Sequence, residues 1–172
     1  MSAILGIDPG NSGALAFLYP EKARLVVEDM PTFEFTTTRN RVKIDPYDIV
    51  RMIDEHDIAS AYLEEVHSSP QMGVVSAFSF GEGKGIILGA LAARGVPLTQ
   101  VKPTDWKKQM RVPSDKRATV QRASQLFPHC AAHFKGPRGG IIDGRAEAAL
   151  IALFGAMEAG RTPTKPLQWG KK

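Results

Sequence analysis

Apolar positions open the chain as a short unbroken run, Ile4-Leu5-Gly6-Ile7, which ends on Asp8 and a Pro9-Gly10 turn. A branched, continuous run bounded by turn residues predicts a strand buried on both faces, central in its sheet. Two more strand-like segments follow at short intervals, the apolar run 14–19 and residues 24–30 around Leu25-Val26-Val27, separated by Pro20-Glu21-Lys22. They predict an antiparallel meander. Residues 31–46 are polar, Thr-rich and carry Arg39, Arg41 and Lys43. This stretch reads as a mobile loop within reach of a substrate backbone. From Asp45 or Pro46 to about His56, Tyr47, Ile49, Val50 and Ile53 fall near one helical face.

Residues 58–66 read as a fourth strand, which again ends in carboxylates, Glu64 and Glu65. A long helical stretch, 74–94, is interrupted by Gly81, Gly83 and Gly85 and stopped by Gly95-Val96-Pro97. Residues 98–101 make a fifth strand. Pro103 suits the first position of a helix over 104–110, and Ser114 is an N-cap candidate for a helix reaching about Phe127. Residues 129–140 form a basic irregular loop, and a last helix runs from about 143 to 159 before Gly160. The order βββαβαβ followed by helices predicts one mixed α/β domain over residues 1–160, with a basic, Pro-containing, loose tail over 161–172.

Composition narrows the setting. The 172 residues suffice for one domain with a substantial core. No run of about 18 apolar residues occurs, so no membrane span is expected. Met1-Ser2-Ala3 leads straight into a strand, without the basic start and long apolar run of a signal peptide. Cys130 is the single cysteine, which excludes an intramolecular disulfide and points to a reducing compartment. The net charge of +4 is unevenly placed: ten Lys/Arg and three acids lie between Lys102 and Arg145. Such a patch, with Lys107, Lys108, Arg111, Lys116 and Arg117 in its first half, suits a polyanionic partner.

Three acidic positions carry the candidate chemistry. Asp8 and the Glu64/Glu65 pair end apolar strands, so parallel pairing of those strands sets the acids side by side. Asp143 and Glu147 are four apart on the last helix and flank its apolar face of Ile142, Ala146, Ala149, Leu150 and Leu153. Gly144, Ala146, Ala148 and Ala149 let that helix come close to its neighbours. Converging carboxylates repel one another unless a cation joins them. Hard oxygen ligands of this kind suit Mg²⁺ or Mn²⁺ and the chemistry of phosphate esters. Two histidines with Cys130, in His129-Cys130 and His133, fall short of a zinc signature. Phe78 and Phe80, at helical positions, read as core.

Ile4-Leu5-Gly6-Ile7-Asp8-Pro9-Gly10 resembles the opening of RuvC-type Holliday junction resolvases. Tyr62-Leu63-Glu64-Glu65-Val66 resembles their second acidic strand, and Asp143-Gly144-Arg145-Ala146-Glu147-Ala148 their C-terminal acidic helix. Glu64-Glu65-Val66-His67-Ser68-Ser69-Pro70, with Phe78-Ser79-Phe80-Gly81 behind it, is most similar to the phage-type branch. The resemblance implies an RNase H-like fold with a five-stranded mixed sheet in the order 3-2-1-4-5, flanked by helices. It implies a homodimer, Mg²⁺-dependent cleavage of four-way DNA junctions by paired symmetric nicks, and the cytoplasm of a bacterial cell or phage-infected host. Asp8, Glu64, Asp143 and Glu147 would hold metal, with Lys116 supporting catalysis and Lys107 contacting DNA. Periodicity leaves Glu64 and Glu65 interchangeable; the match to Leu-Glu-x-Val favours Glu64. Related helices space their two metal ligands three apart, whereas Asp143 and Glu147 are four apart with Gly144 between, which leaves the role of Asp143 open. Where some members carry a junction-stacking aromatic, this chain has His67.

The alternatives are a broader branched-DNA or RNA nuclease on the same fold, a catalytically inactive nucleic-acid-binding module, and an actin-like ATPase. The last needs two such domains, for which the chain is too short.

Overall fold

A computed structural model describes residues 1–36, 40–113 and 115–170. Its centre is β1 (Ala3–Asp8), hydrogen-bonded on one side to β2 (Ala14–Tyr19) and on the other to β6 (Ile58–Glu64). β3 (Arg24–Asp29) continues the antiparallel meander, and β7 (Leu98–Val101) lies parallel to β6 at one edge. These five strands have the expected order. A sixth, β8 (Gln168–Trp169), pairs with β3 and completes the order β7-β6-β1-β2-β3-β8.

Helices cover both faces, which is why the central strands β1 and β2 read as unbroken apolar runs. On one face lie α1 (Pro46–Asp54) and α2 (Val74–Ala93), packed on Leu5, Ile7, Leu15, Phe17 and Leu63. On the other lie α3 (Pro103–Met110), α4 (Lys116–Leu126) and α5 (Asp143–Glu158), packed on Ile4, Ala16, Leu18 and Tyr62. The alternation Ile4/Leu5 in β1 assigns one side chain to each core.

Several expectations need correction. Residues 31–46 are not a mobile loop but chiefly a hairpin, β4 (Thr32–Thr36) with β5 (Asn40–Ile44). Phe33/Phe35 and Val42/Ile44 have the two-residue period of a strand, which the surrounding Thr and basic residues obscure. Arg39 lies outside the described residues. The glycines do not break α2, which is continuous over 20 residues. By length and apolar composition α2 would be able to cross a membrane, but Ile87, Ala90 and Leu91 are buried in the domain core and Glu82 pairs with Lys43 of β5. Phe78 is not core: it is 73% exposed. The tail is not loose as far as Gly170. Leu167 is buried, Trp169 stacks on His133, and Arg161 donates to Glu21 and to the Ser2 carbonyl. Finally, α5 is buried on nearly every side instead of along one stripe, because it lies between the sheet and α4. Ser114 lies outside the described residues; the cap of α4 is Asp115, whose carboxylate accepts the Ala118 N–H at 2.9 Å.

The placement of α5 depends on glycine. A Cβ at Gly6 would sit 2.3 Å from both the Ala148 carbonyl oxygen and the Ala152 nitrogen. One at Gly144 would sit 2.3 Å from the Ser12 carbonyl oxygen. Helix backbone therefore rests directly on β1 and on the turn that follows it.

Candidate active site

The parallel register of β1 and β6 pairs Ile7 with Leu63. The next residue in each strand is an acid, so Asp8 and Glu64 emerge side by side at the same sheet end. The close seating of α5 brings its first turns over that end. As a result, Asp8, Glu64 and Glu147 each offer a carboxylate oxygen, and these oxygens all lie within 4.8 Å of one another. Glu65 points elsewhere: it faces His67 at 3.2 Å and lines a separate surface recess with Lys102 and Asp105. The geometry thus separates two residues that periodicity cannot.

Electrostatics at the cluster are unfavourable without a cation. Burial, reinforced by the charges of Glu147, Glu64 and Asp143, raises Asp8 from 3.8 to about 7, although the Gly10 N–H opposes the rise. Glu147 is also pushed upward, first by burial, with Lys107 pulling the other way and Glu64 and Asp143 adding to the rise. Lys107 Nζ stands 3.5 Å from Glu147. Glu64 is only 8% exposed, and the buried Trp106 indole N–H donates to its Oε1 at 3.0 Å. A buried carboxylate needs such donors.

Asp143 is outside the tight group. Its carboxylate pairs with Lys116 Nζ at 2.5 Å, and this contact raises the lysine's pKa. The two acids of α5 therefore differ in position: Glu147 joins Asp8 and Glu64, while Asp143 stands at the mouth with a lysine. Lys108, Arg111 and Arg117 are exposed and lie outside the cleft lining. Cys130, His129 and His133 form no metal-sized group among the described residues. Cys130 is buried, and its thiol approaches the Leu167 carbonyl.

The cluster opens into a cleft of about 610 Å³ walled by the β1–β2 turn, the first turns of α2, and the hairpin residues Arg41 and Val42. Asn11 ties the turn to the hairpin by donating to the Val42 carbonyl at 3.0 Å. Sequence reasoning missed two participants. Trp106 gave no signal beyond the rule that a buried indole N–H seeks an acceptor. The hairpin's signal was the alternation noted above.

No protein-family model matches the sequence, and no curated protein is similar to it. Solved structures are. Thermus thermophilus RuvC in complex with a Holliday junction substrate aligns with a TM-score of 0.58 and 14% identity, over 95% of this chain and 99% of that one. The chain has the RuvC fold. A second T. thermophilus RuvC structure aligns at a TM-score of 0.57 and 16% identity, over 94% and 98% of the two chains. The yeast mitochondrial Holliday junction resolvase Ydc2 shares the RuvC fold at a TM-score of 0.52 and 16% identity, over 88% of this chain and 76% of that one.

Proposed function

We propose that the protein is a divalent-metal-dependent endonuclease that resolves four-way DNA junctions by paired, symmetric nicks. The observation that carries this reading is the convergence of Asp8, Glu64 and Glu147 at one sheet end of a RuvC fold. The residues fit a metal. They are hard oxygen donors, they are mostly withdrawn from water, and their mutual repulsion is what a divalent cation relieves. Asp8, Glu64 and Glu147 would hold Mg²⁺, or Mn²⁺ in its place. Asp143 is a fourth ligand only after exchanging its contact with Lys116.

A bound metal supplies charge stabilisation to phosphate oxygens and acidifies water. The protein's own groups do the rest. Trp106 fixes the orientation of Glu64 through its N–H. Lys107 offsets part of the charge on Glu147. Lys116 stays cationic beside Asp143 and lines the cleft, where it meets a phosphate. Lys108, Arg111 and Arg117 extend a basic surface beyond it for phosphates farther along the DNA.

Two nicks on opposed strands call for two copies related by a two-fold axis. The exposed side of α2 supports a homodimer. Gly81, Gly85 and Gly89 have nothing within 4 Å of where a Cβ would be, so a second helix can approach closely.

The test is cleavage of four-way junction, flap, linear duplex and RNA–DNA hybrid side by side in Mg²⁺. The reading expects paired nicks in the junction at least about ten-fold faster than cuts in linear duplex or hybrid. Equal rates on linear duplex would replace it with a general nuclease, and binding without cleavage of any substrate would leave only a binding module.

A further inference from the structure

The two edges of the central sheet are finished differently. At one edge the chain's own β8 is added to β3. At the other, β7 pairs only with β6. The N–H groups of Ala61 and Glu65 donate to the carbonyls of Pro97 and Val101. Alternation along β7 then turns the backbone groups of Thr99 toward β6 as well, and leaves the N–H and C=O of Leu98 and Gln100 pointing away from the sheet. Among the described residues no backbone hydrogen bond takes up these outward groups. Thr99 and Gln100 are exposed.

This free edge runs beside the recess that holds Glu65. The recess has a volume of about 310 Å³ and lies on the side of β7 that faces α3 and α5. It exists because α5 is centred over β1 and β2, so its cover ends before the edge strand. Its floor is apolar: Val101, with the rings of Tyr62 and Phe154 edge to face at 6.4 Å between centres. Its rim is acidic. Glu65, Asp105 and Glu158 stand around it, with Lys102 as the facing cation. An acidic rim is out of keeping with the basic stretch that begins at Lys102, and it repels phosphates. The recess and the acidic cleft have no lining residue in common, so a molecule seated here leaves the cleft open.

We propose that the β7 edge docks an extended segment of a partner protein that carries Lys or Arg at alternate positions. The segment adds a strand to the sheet through the backbone groups of Leu98 and Gln100, and its basic side chains enter the recess. In docking of this kind main-chain hydrogen bonds give affinity, and pockets for alternate side chains give specificity. A long basic side chain fits both parts of the recess. Its aliphatic stem lies on Tyr62 and Phe154, and its charged head reaches the carboxylates. Charge argues against a second copy of the chain as the occupant. Two β7 strands paired across a two-fold axis run antiparallel, which would bring one set of Glu65, Asp105 and Glu158 up to the other. This surface lies outside the nuclease reading and does not depend on it.

The probe is a synthetic peptide of alternating Lys and Thr, whose lysines share one face when it is extended. It is added to the full chain at low salt, and binding is followed by NMR shifts and amide hydrogen exchange. The expected result is a Kd below about 1 mM, with slowed exchange at the Leu98 and Gln100 amides and no change around Asp8. The same peptide with Glu in place of Lys should not bind. Gln100→Pro removes the outward N–H at an edge position where proline is tolerated, and should weaken binding by about ten-fold or more. Glu158→Lys, an exposed change in the last turn of α5, should leave Tm unaltered and weaken binding by about five-fold. If Gln100→Pro does not fold, the exchange map and Glu158→Lys still decide. No binding at about 1 mM peptide overturns the proposal. So does binding that leaves the Leu98 and Gln100 amides unprotected, or that Glu158→Lys and Gln100→Pro leave at the wild-type level. A peptide-free protein that has the mass of a dimer in solution and already protects these two amides makes the edge a self-contact, and the proposal is then wrong.

Discussion

Replacing Asp8 by Asn should stabilise the metal-free protein while removing its activity. In the folded state, burial and the neighbouring carboxylates raise Asp8 to about 7, against 3.8 without the fold. Between these values the folded protein binds more protons than the unfolded chain, so stability falls as pH rises from about 4 to about 7 and stays low above that. At about 1.4 kcal/mol for each factor of ten in the equilibrium, the ceiling on this penalty is about 4 kcal/mol. Asn carries no charge to desolvate, and its amide N–H groups face the acceptor oxygens of Glu64 and Glu147. A gain of about 2–4 kcal/mol at pH 8 is therefore expected, which for a domain of this size raises Tm by about 5–15 °C. The assay is thermal unfolding of wild type and Asp8→Asn in EDTA from pH 4 to 8. The difference should be small at pH 4 and grow through neutrality. Added Mg²⁺ should then raise the Tm of wild type and leave the variant almost unchanged, because a ligand stabilises only the state that binds it. A variant less stable than wild type at pH 8, or a difference independent of pH, would refute the electrostatic reasoning.

Three further outcomes follow from the same geometry. Glu147→Gln or Glu64→Gln should lower junction cleavage by at least about 100-fold, since metal stabilisation of the transition state is worth several kcal/mol; gel-shift titration in EDTA should show binding retained. Gly6→Ala should cost about 1–3 kcal/mol or more by driving α5 off β1, seen as a lower denaturation midpoint together with lost cleavage. Lys116→Ala should weaken junction binding and reduce the slope of log K against log salt by about one, measured by fluorescence anisotropy over a salt series.

The central sheet was legible because its first two strands are unbroken apolar runs, the third has an apolar centre at Leu25-Val26-Val27, and the connections are short. Asp8 and Glu64 were legible as acids that end such runs. What the sequence did not reveal was reach. Whether Asp143 or Glu147 joins Asp8 depends on how closely α5 sits on β1, and that distance is set by Gly6, a residue inside a strand that periodicity treats as filler. The one-residue difference between Glu64 and Glu65 was invisible for another reason: both are acids next to each other, and only the parallel register with Ile7 and Leu63 decides which faces inward. The hairpin was missed because its two-residue alternation is short and sits among Thr, Arg and Lys. Phe78 was misassigned because an apolar residue at a helical position carries no sign of whether a neighbour covers it. β8 escaped notice because two residues make no pattern, and Leu167 and Trp169 are held by side-chain packing from distant elements.

The central claim is that Asp8, Glu64 and Glu147 share a divalent ion. Crystals of the protein grown or soaked in Mn²⁺, measured by anomalous scattering at the manganese edge, test it directly. The account predicts a peak within about 2.0–2.3 Å of carboxylate oxygens from Asp8 and at least one of Glu64 and Glu147. Manganese bound only at other positions, with these three carboxylates vacant at saturating metal and neutral pH, would contradict it.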